Sequence, residues 1–122
     1  MDQRIQTALD TERTIDITTI GRKTGQPRRI EIWFHTVDGQ IFITGSPSTR
    51  QRDWYQNMVA NPEFTFHLKQ SVNADLNATA TPITDEDARR AWFTRYLTSS
   101  GRNRDIEQWV ENSPLVEVTF SD

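Results

Sequence analysis

Five cationic side chains in two short stretches of this chain offer anion binding as their chemistry. Arg22, Lys23 and Arg28 fall in "GRKTGQPRR" (21–29), with Arg29 beside them; Arg50 and Arg52 fall in "SPSTRQRDW" (46–54), among the hydroxyls of Ser46, Ser48 and Thr49. The arginine fork grips phosphate or carboxylate through two parallel hydrogen bonds, and lysine acts as a compact point charge. Each charge-assisted hydrogen bond is worth roughly 1.5–3 kcal/mol net, so three or four of them hold a phosphorylated small molecule at micromolar affinity or better. A solvated turn rimmed with arginines is the competing reading, and charge alone does not separate the two. Gly21 and Gly25 are equally open: they supply φ > 0 in a turn, or they let the backbone approach a ligand.

Other chemistry is sparse. The chain has no cysteine, so disulfides, thiolate metal sites and cysteine nucleophiles are excluded. His35 and His67 are its only histidines, and each sits in a strand pattern without a carboxylate at metal-site spacing, which reads as structural polarity and no metal site. Neither a dinucleotide-binding GxGxxG nor a phosphate-loop GxxxxGK[ST] occurs. Ser99 and Ser100 lack a nucleophile-elbow context, and the acids of "DED" (85–87) suit a helix N-terminus. If the chain is an enzyme, a cofactor carries the reaction.

The charge is unevenly spread. Residues 22–52 hold six basic and two acidic side chains, a net +4; the rest of the chain holds eight basic and fifteen acidic, a net −7. This favours one local anion site over the broad cationic face that nucleic acid needs. The 122 residues, 34% hydrophobic and 10% aromatic, suit one domain with a modest core built largely from rings. No apolar run approaches the ~20 residues of a membrane span, and the polar start "MDQRIQTALD" lacks a signal-peptide core. A cytoplasmic protein without nucleic-acid partners is the expectation.

The elements that must position the cations alternate with period two. "RTIDITTI" (13–20) reads as a half-buried strand, and "RRIEIWFHTV" (28–37) as a second, with Ile30, Ile32 and Phe34 on one face. Asp38-Gly39 marks a tight turn into "QIFITG" (40–45), so Arg28 to Gly45 reads as a β-hairpin. A short helix over about 50–60 follows, with Ser48 and Gln51 at capping-box spacing and Pro62 beyond its end. Strands are expected over 63–70, 71–83 and 115–120. A helix capped by Thr84 spans 84–97, "SSGRNRD" breaks it, and a turn or short helix carries Trp109. The order β, β, β, α, β, β, α, β predicts a mainly β (α+β) fold: a single split β-barrel domain over 1–122. It has about six mostly antiparallel strands, two or three helices, and residues 1–12 as an extension.

Two of these stretches resemble a known family. "TIGRKTGQPRRIEIWF" (19–34) resembles the loop-plus-strand motif of the deazaflavin-dependent nitroreductases, split-barrel oxidoreductases related to the flavin-binding pyridoxamine-phosphate-oxidase group. "GQIFITGSPSTRQRDWYQNMVANPEFTFHL" (39–68) resembles their second motif, in which a basic loop precedes W-x-x-N and A-N-P, here Trp54, Asn57 and Ala60-Asn61-Pro62. The end, "PLVEVTF", is similar to their closing strand. The chain departs from many relatives in lacking a Gly-Gly pair before the tryptophan; it reads "GSPSTRQRDW".

The resemblance implies a reduced deazaflavin, coenzyme F420, that donates hydride to a small-molecule electron acceptor such as a quinone or nitro compound. It implies a cofactor site drawn from Arg22, Lys23, Thr24, Gln26, Arg28, Ser46, Ser48, Thr49, Arg50, Arg52, Trp54 and Asn57. Trp33, Tyr96 and Trp109 would border the acceptor pocket, and a homodimer is expected. The alternatives are an FMN-binding split-barrel oxidoreductase and a non-catalytic barrel holding a lipid, haem or flavin.

Overall fold

The architecture follows from the alternating patterns, with one break that the sequence hides. A computed structural model describes residues 1–100 and 105–121. The elements are α1 (Gln3–Thr11), β1 (Thr14–Ile20), β2 (Pro27–Trp33), β3 (His35–Val37), β4 (Gln40–Thr44), α2 (Asp53–Ala60), β5 (Glu63–Leu68), β6 (Ala74–Pro82), α3 (Glu86–Ser100), α4 (Ile106–Asn112) and β7 (Leu115–Phe120). All strand pairs are antiparallel, in the order β2-β1-β5-β6-β7-β4-β3.

The hairpin expected over 28–45 is thus only partly formed. β3 pairs with β4 across Asp38-Gly39, both at positive φ as a type I′ turn requires. β2 instead pairs with β1 along its whole length, from Thr14 opposite Trp33 to Ile20 opposite Pro27. β2 and β3 are halves of one segment interrupted at Phe34, whose N–H makes the last bond in the β1 register, to the Arg13 carbonyl at 2.8 Å, before β3 turns to β4. Because those halves form opposite edges of the seven-strand order, the sheet curls into a half-barrel, and Phe34 bridges its edges from inside. Phe34 is fully buried and meets Phe66 edge-on at 5.3 Å. Six expected strands become seven for this reason.

The barrel core takes Ile15 and Ile17 of β1, Ile41 and Ile43 of β4, Phe66 and Leu68 of β5, and Trp54 and Met58 of α2. Residues 1–12 are more than an extension, since α1 adds Ala8 and Leu9 to this core. β4 is buried on both faces: Phe42 points the other way, into a second cluster with Phe93, Val110 and Leu115, where α3 and α4 cover the sheet. Local signals erred at helix starts. Asp85, not Thr84, accepts the α3 amide, from Ala88 at 2.9 Å. Of the expected break "SSGRNRD", Ser99 and Ser100 still belong to α3, and residues 101–104 lie outside the described residues.

Arg89 of α3 ties this second layer together. Its guanidinium donates to the carbonyls of Val110 (2.8 Å), Ile83 (2.9 Å), Trp109 (3.4 Å) and Ser113. Trp109 and Val110 lie in the last turn of α4, where a cation complements the helix dipole; the Trp109 carbonyl also accepts from Ser113 N at 3.1 Å. Arg89→Met should therefore lower unfolding stability by about 2–4 kcal/mol, read from the denaturant midpoint. Arg89→Lys should not restore it, because one ammonium cannot reach four carbonyls.

Candidate functional site

The loop "GRKTGQ" joins β1 to β2 and is built from its own backbone. Gly21 N donates to Gln26 O and Gly25 N to Gly21 O, each at 2.8 Å, and Gln26 N donates to Thr24 Oγ1 at 3.2 Å. Gly25 sits at φ 71°, a value glycine adopts without penalty. At Gly21 a Cβ would lie 2.8 Å from Thr24 Oγ1, so this glycine permits closure of the loop on itself.

Asn57 anchors the loop to α2. It is only 4% exposed. Its Oδ1 accepts from Arg22 twice, from the backbone N at 3.1 Å and from Nη1 at 2.9 Å, and its Nδ2 donates to Thr19 Oγ1 at 3.2 Å. Arg22 reaches Asp53 Oδ1 at 3.4 Å with its other nitrogen. One carboxamide thereby joins the end of β1, the loop and the helix.

The result is a groove of about 480 Å³ bounded by Arg22, Lys23, Thr24, Arg28, Arg52, Trp54 and Asn57. Arg52 donates to Ser46 O at 3.0 Å, and its guanidinium fills the space where a Cβ on Gly45 would stand, 1.9 Å from Nη1. Only glycine at 45 admits that arrangement. Lys23 and Arg28 have no side-chain hydrogen bond or ion pair among the described residues. Arg29, one residue on, points to the other sheet face and pairs with Asp16 at 3.0 Å.

Arg52 also borders a second groove, of about 310 Å³, which holds Ser48, Thr49 and Arg50. The sequence placed all five cations together; the structure divides them between two grooves that meet at Arg52. The capping box is not made. α2 starts at Asp53, its N-cap Arg52 makes no side-chain cap bond, and Ser48 Oγ accepts from Arg50 N at 3.1 Å instead. Gln26 lies on the exposed loop outside the residues bounding either groove. Thr19, Ile30 and Asp53 border the first groove and were not among the expected site residues. The acid beside Trp54 reads as a helix-start residue, and only the fold brings it to Arg22.

Of the expected acceptor aromatics, Tyr96 and Trp109 are in contact and Trp33 stands apart. Trp33 ends β2 at 55% exposure, Tyr96 borders a third cavity, and Trp109 packs between Phe93 and Tyr96, each at 5.8 Å. His67 is buried between Thr18 Oγ1 and Asp75 Oδ1, each 2.7 Å away. That bond to His67 is the main cause of the lowered Asp75 pKa. Among the described residues no cluster of acids and histidines could hold a metal, and no helix is long and apolar enough to cross a membrane.

Solved structures share this fold. A conserved hypothetical protein from Mycobacterium tuberculosis superimposes with a TM-score of 0.71 at 17% identity, over 100% of this chain and 82% of the other. A putative pyridoxamine 5′-phosphate oxidase from Listeria innocua gives 0.71 at 10% identity, over 98% and 92%. An F420-H2 dependent reductase gives 0.64 at 18% identity, over 88% and 95%. These share the split β-barrel fold of the chain. The model of the F420H(2)-dependent quinone reductase family matches residues 2–119, and the chain belongs to that family. It is an F420-dependent oxidoreductase, with coenzyme F420 as its cofactor.

Asn57→Ala would leave two Arg22 donors and the Thr19 hydroxyl without their partner. It should destabilise the protein by about 2–3 kcal/mol in denaturant unfolding. Asn57→Asp, which keeps the acceptor for Arg22, should lose less.

Proposed function

We propose that this protein binds reduced F420 in the Arg22–Asn57 groove and passes its hydride to an organic acceptor such as a quinone or nitro compound. The observation that carries this reading is the pair of cations, Lys23 and Arg28, that face the groove without a protein partner. An arginine and a lysine left unpaired beside a fixed loop suit a phosphate.

The chain's own residues bind and orient. Arg22, held by Asn57 and Asp53, fixes the loop's shape. Lys23 and Arg28 take the anionic part of the cofactor, and Thr24 adds a hydroxyl. Arg52, braced on Ser46, divides this groove from the one holding Arg50, Ser48 and Thr49. Trp54, buried in α2, forms an apolar wall. The deazaflavin supplies the hydride when bound. Proton delivery to the reduced acceptor falls to solvent or a hydroxyl, since neither histidine borders the groove. The exposed edge of β2, with Ile30 at 39% and Trp33 at 55%, is the surface we assign to a second copy of the chain.

Titration with F420, followed by fluorescence quenching, tests the site. Lys23→Ala and Arg28→Ala should each weaken binding by about 1.5–3 kcal/mol, whereas Arg29→Ala, on the opposite face, should leave it unchanged. Unchanged affinity in both groove variants would remove this assignment, and preference for FMN over F420 would favour the flavin alternative. Turnover is read as oxidation of reduced F420 on addition of menadione.

A further inference from the structure

A third cavity, of about 460 Å³, lies between the end of α1, β3 and α3. It shares no lining residue with the F420 groove. It opens beside Arg13 at the start of β1, while the groove opens beside Gly21 at its end, and about 26 Å of strand separates those positions.

Its walls carry polar groups that the protein leaves unused. The Arg13 guanidinium, the His35 imidazole, the Trp92 indole N–H and the Tyr96 hydroxyl make no hydrogen bond or ion pair among the described residues. Of the other charged groups here, Arg95 pairs with Asp38 at 2.9 Å, Asp10 accepts from Gln6 at 3.2 Å, and Glu12 accepts from Ser71 through one oxygen while its other oxygen is buried without a partner. The rings form an ordered wall. Trp92 and Tyr96 stack at 5.1 Å and 20°, and His35 stands edge-on to Tyr96 at 4.9 Å. Burial, with a smaller contribution from Arg13, lowers the His35 pKa to about 4. The imidazole is therefore neutral at pH 7, and Arg13 is the wall's uncompensated cation. Converging unpaired polar groups on an aromatic wall are the mark of a small-molecule site.

We propose that this cavity is a second ligand site, separate from the cofactor groove, for a planar aromatic ring bearing a carboxylate. The ring packs against His35 and Tyr96, the carboxylate pairs with Arg13, and a ring hydroxyl bonds to His35 or Tyr96.

Calorimetric titration with three probes tests this: 4-hydroxybenzoate, its neutral analogue 4-hydroxybenzyl alcohol, and cyclohexanecarboxylate, which has the acid without the flat ring. The expected result is saturable binding of 4-hydroxybenzoate, about tenfold tighter than either analogue. That affinity should fall about tenfold in Arg13→Gln and hold in saturating F420. Arg13 is exposed, so its replacement leaves the core intact. Equal affinity for all three probes, no loss in Arg13→Gln, or no binding at millimolar concentration would overturn the proposal. Displacement by F420 would do so too, by making the cavity part of the cofactor site. Apart from displacement by F420, these results leave the Lys23 and Arg28 assignment untouched, since that is read from the F420 affinity of the groove variants.

Discussion

The buried carboxamide of Asn57 is the contact on which the groove depends. α2, the end of β1 and the loop after it are remote in sequence, and this side chain holds all three. An amide suits the position because it both accepts and donates without charge. An apolar replacement of the same size would take this partner from two Arg22 donors and the Thr19 hydroxyl, at about 2–3 kcal/mol in all. With Arg22 engaged by Asn57 and Asp53, its neighbours Lys23 and Arg28 remain for a ligand. Fixing one cation is what makes the others available in a set place.

The sheet explains why the groove stays open. β2 is an edge strand whose residues are largely exposed on both faces, while β4, near the opposite edge, is covered on both. Helices α3 and α4 load one side of the half-barrel, and Arg89 fastens them by satisfying the carbonyls at the end of α4. Lys23 and Arg28 border a groove that α3 and α4 do not line, whereas the groove of Arg50 is lined in part by Arg89 of α3 and by Glu111 and Asn112 of α4. A net +4 segment in a chain that is otherwise −7 draws an anion to these grooves and repels it elsewhere.

Much of this was legible in the sequence because local chemistry agreed with the fold. Asp38-Gly39 gave its turn, "LVEVTF" its strand at 115–120, and the alternation in 14–20 its buried face. The break at Phe34 was hidden, since the apolar alternation runs straight through it, and only pairing with β1 shows that the strand changes partners. α1 was missed because few apolar residues mark its buried side. At the site, residue types announced an anion but not their division of labour. Arg22, Arg28 and Arg29 look alike in sequence; one is tied to Asn57, one is unpaired, and one faces away because side chains alternate along β2. Asn57 itself read as a cofactor contact; in the structure it borders the groove, is 4% exposed and is bonded to Arg22 and Thr19.

The most direct test of this account is a double-mutant cycle between Asn57 and Arg28, read as F420 affinity. If Asn57 acts by holding the loop that presents Arg28, Asn57→Ala should weaken F420 binding, and adding Arg28→Ala should then cost much less than it does in the wild type. Strictly additive losses, or wild-type affinity in Asn57→Ala, would contradict it.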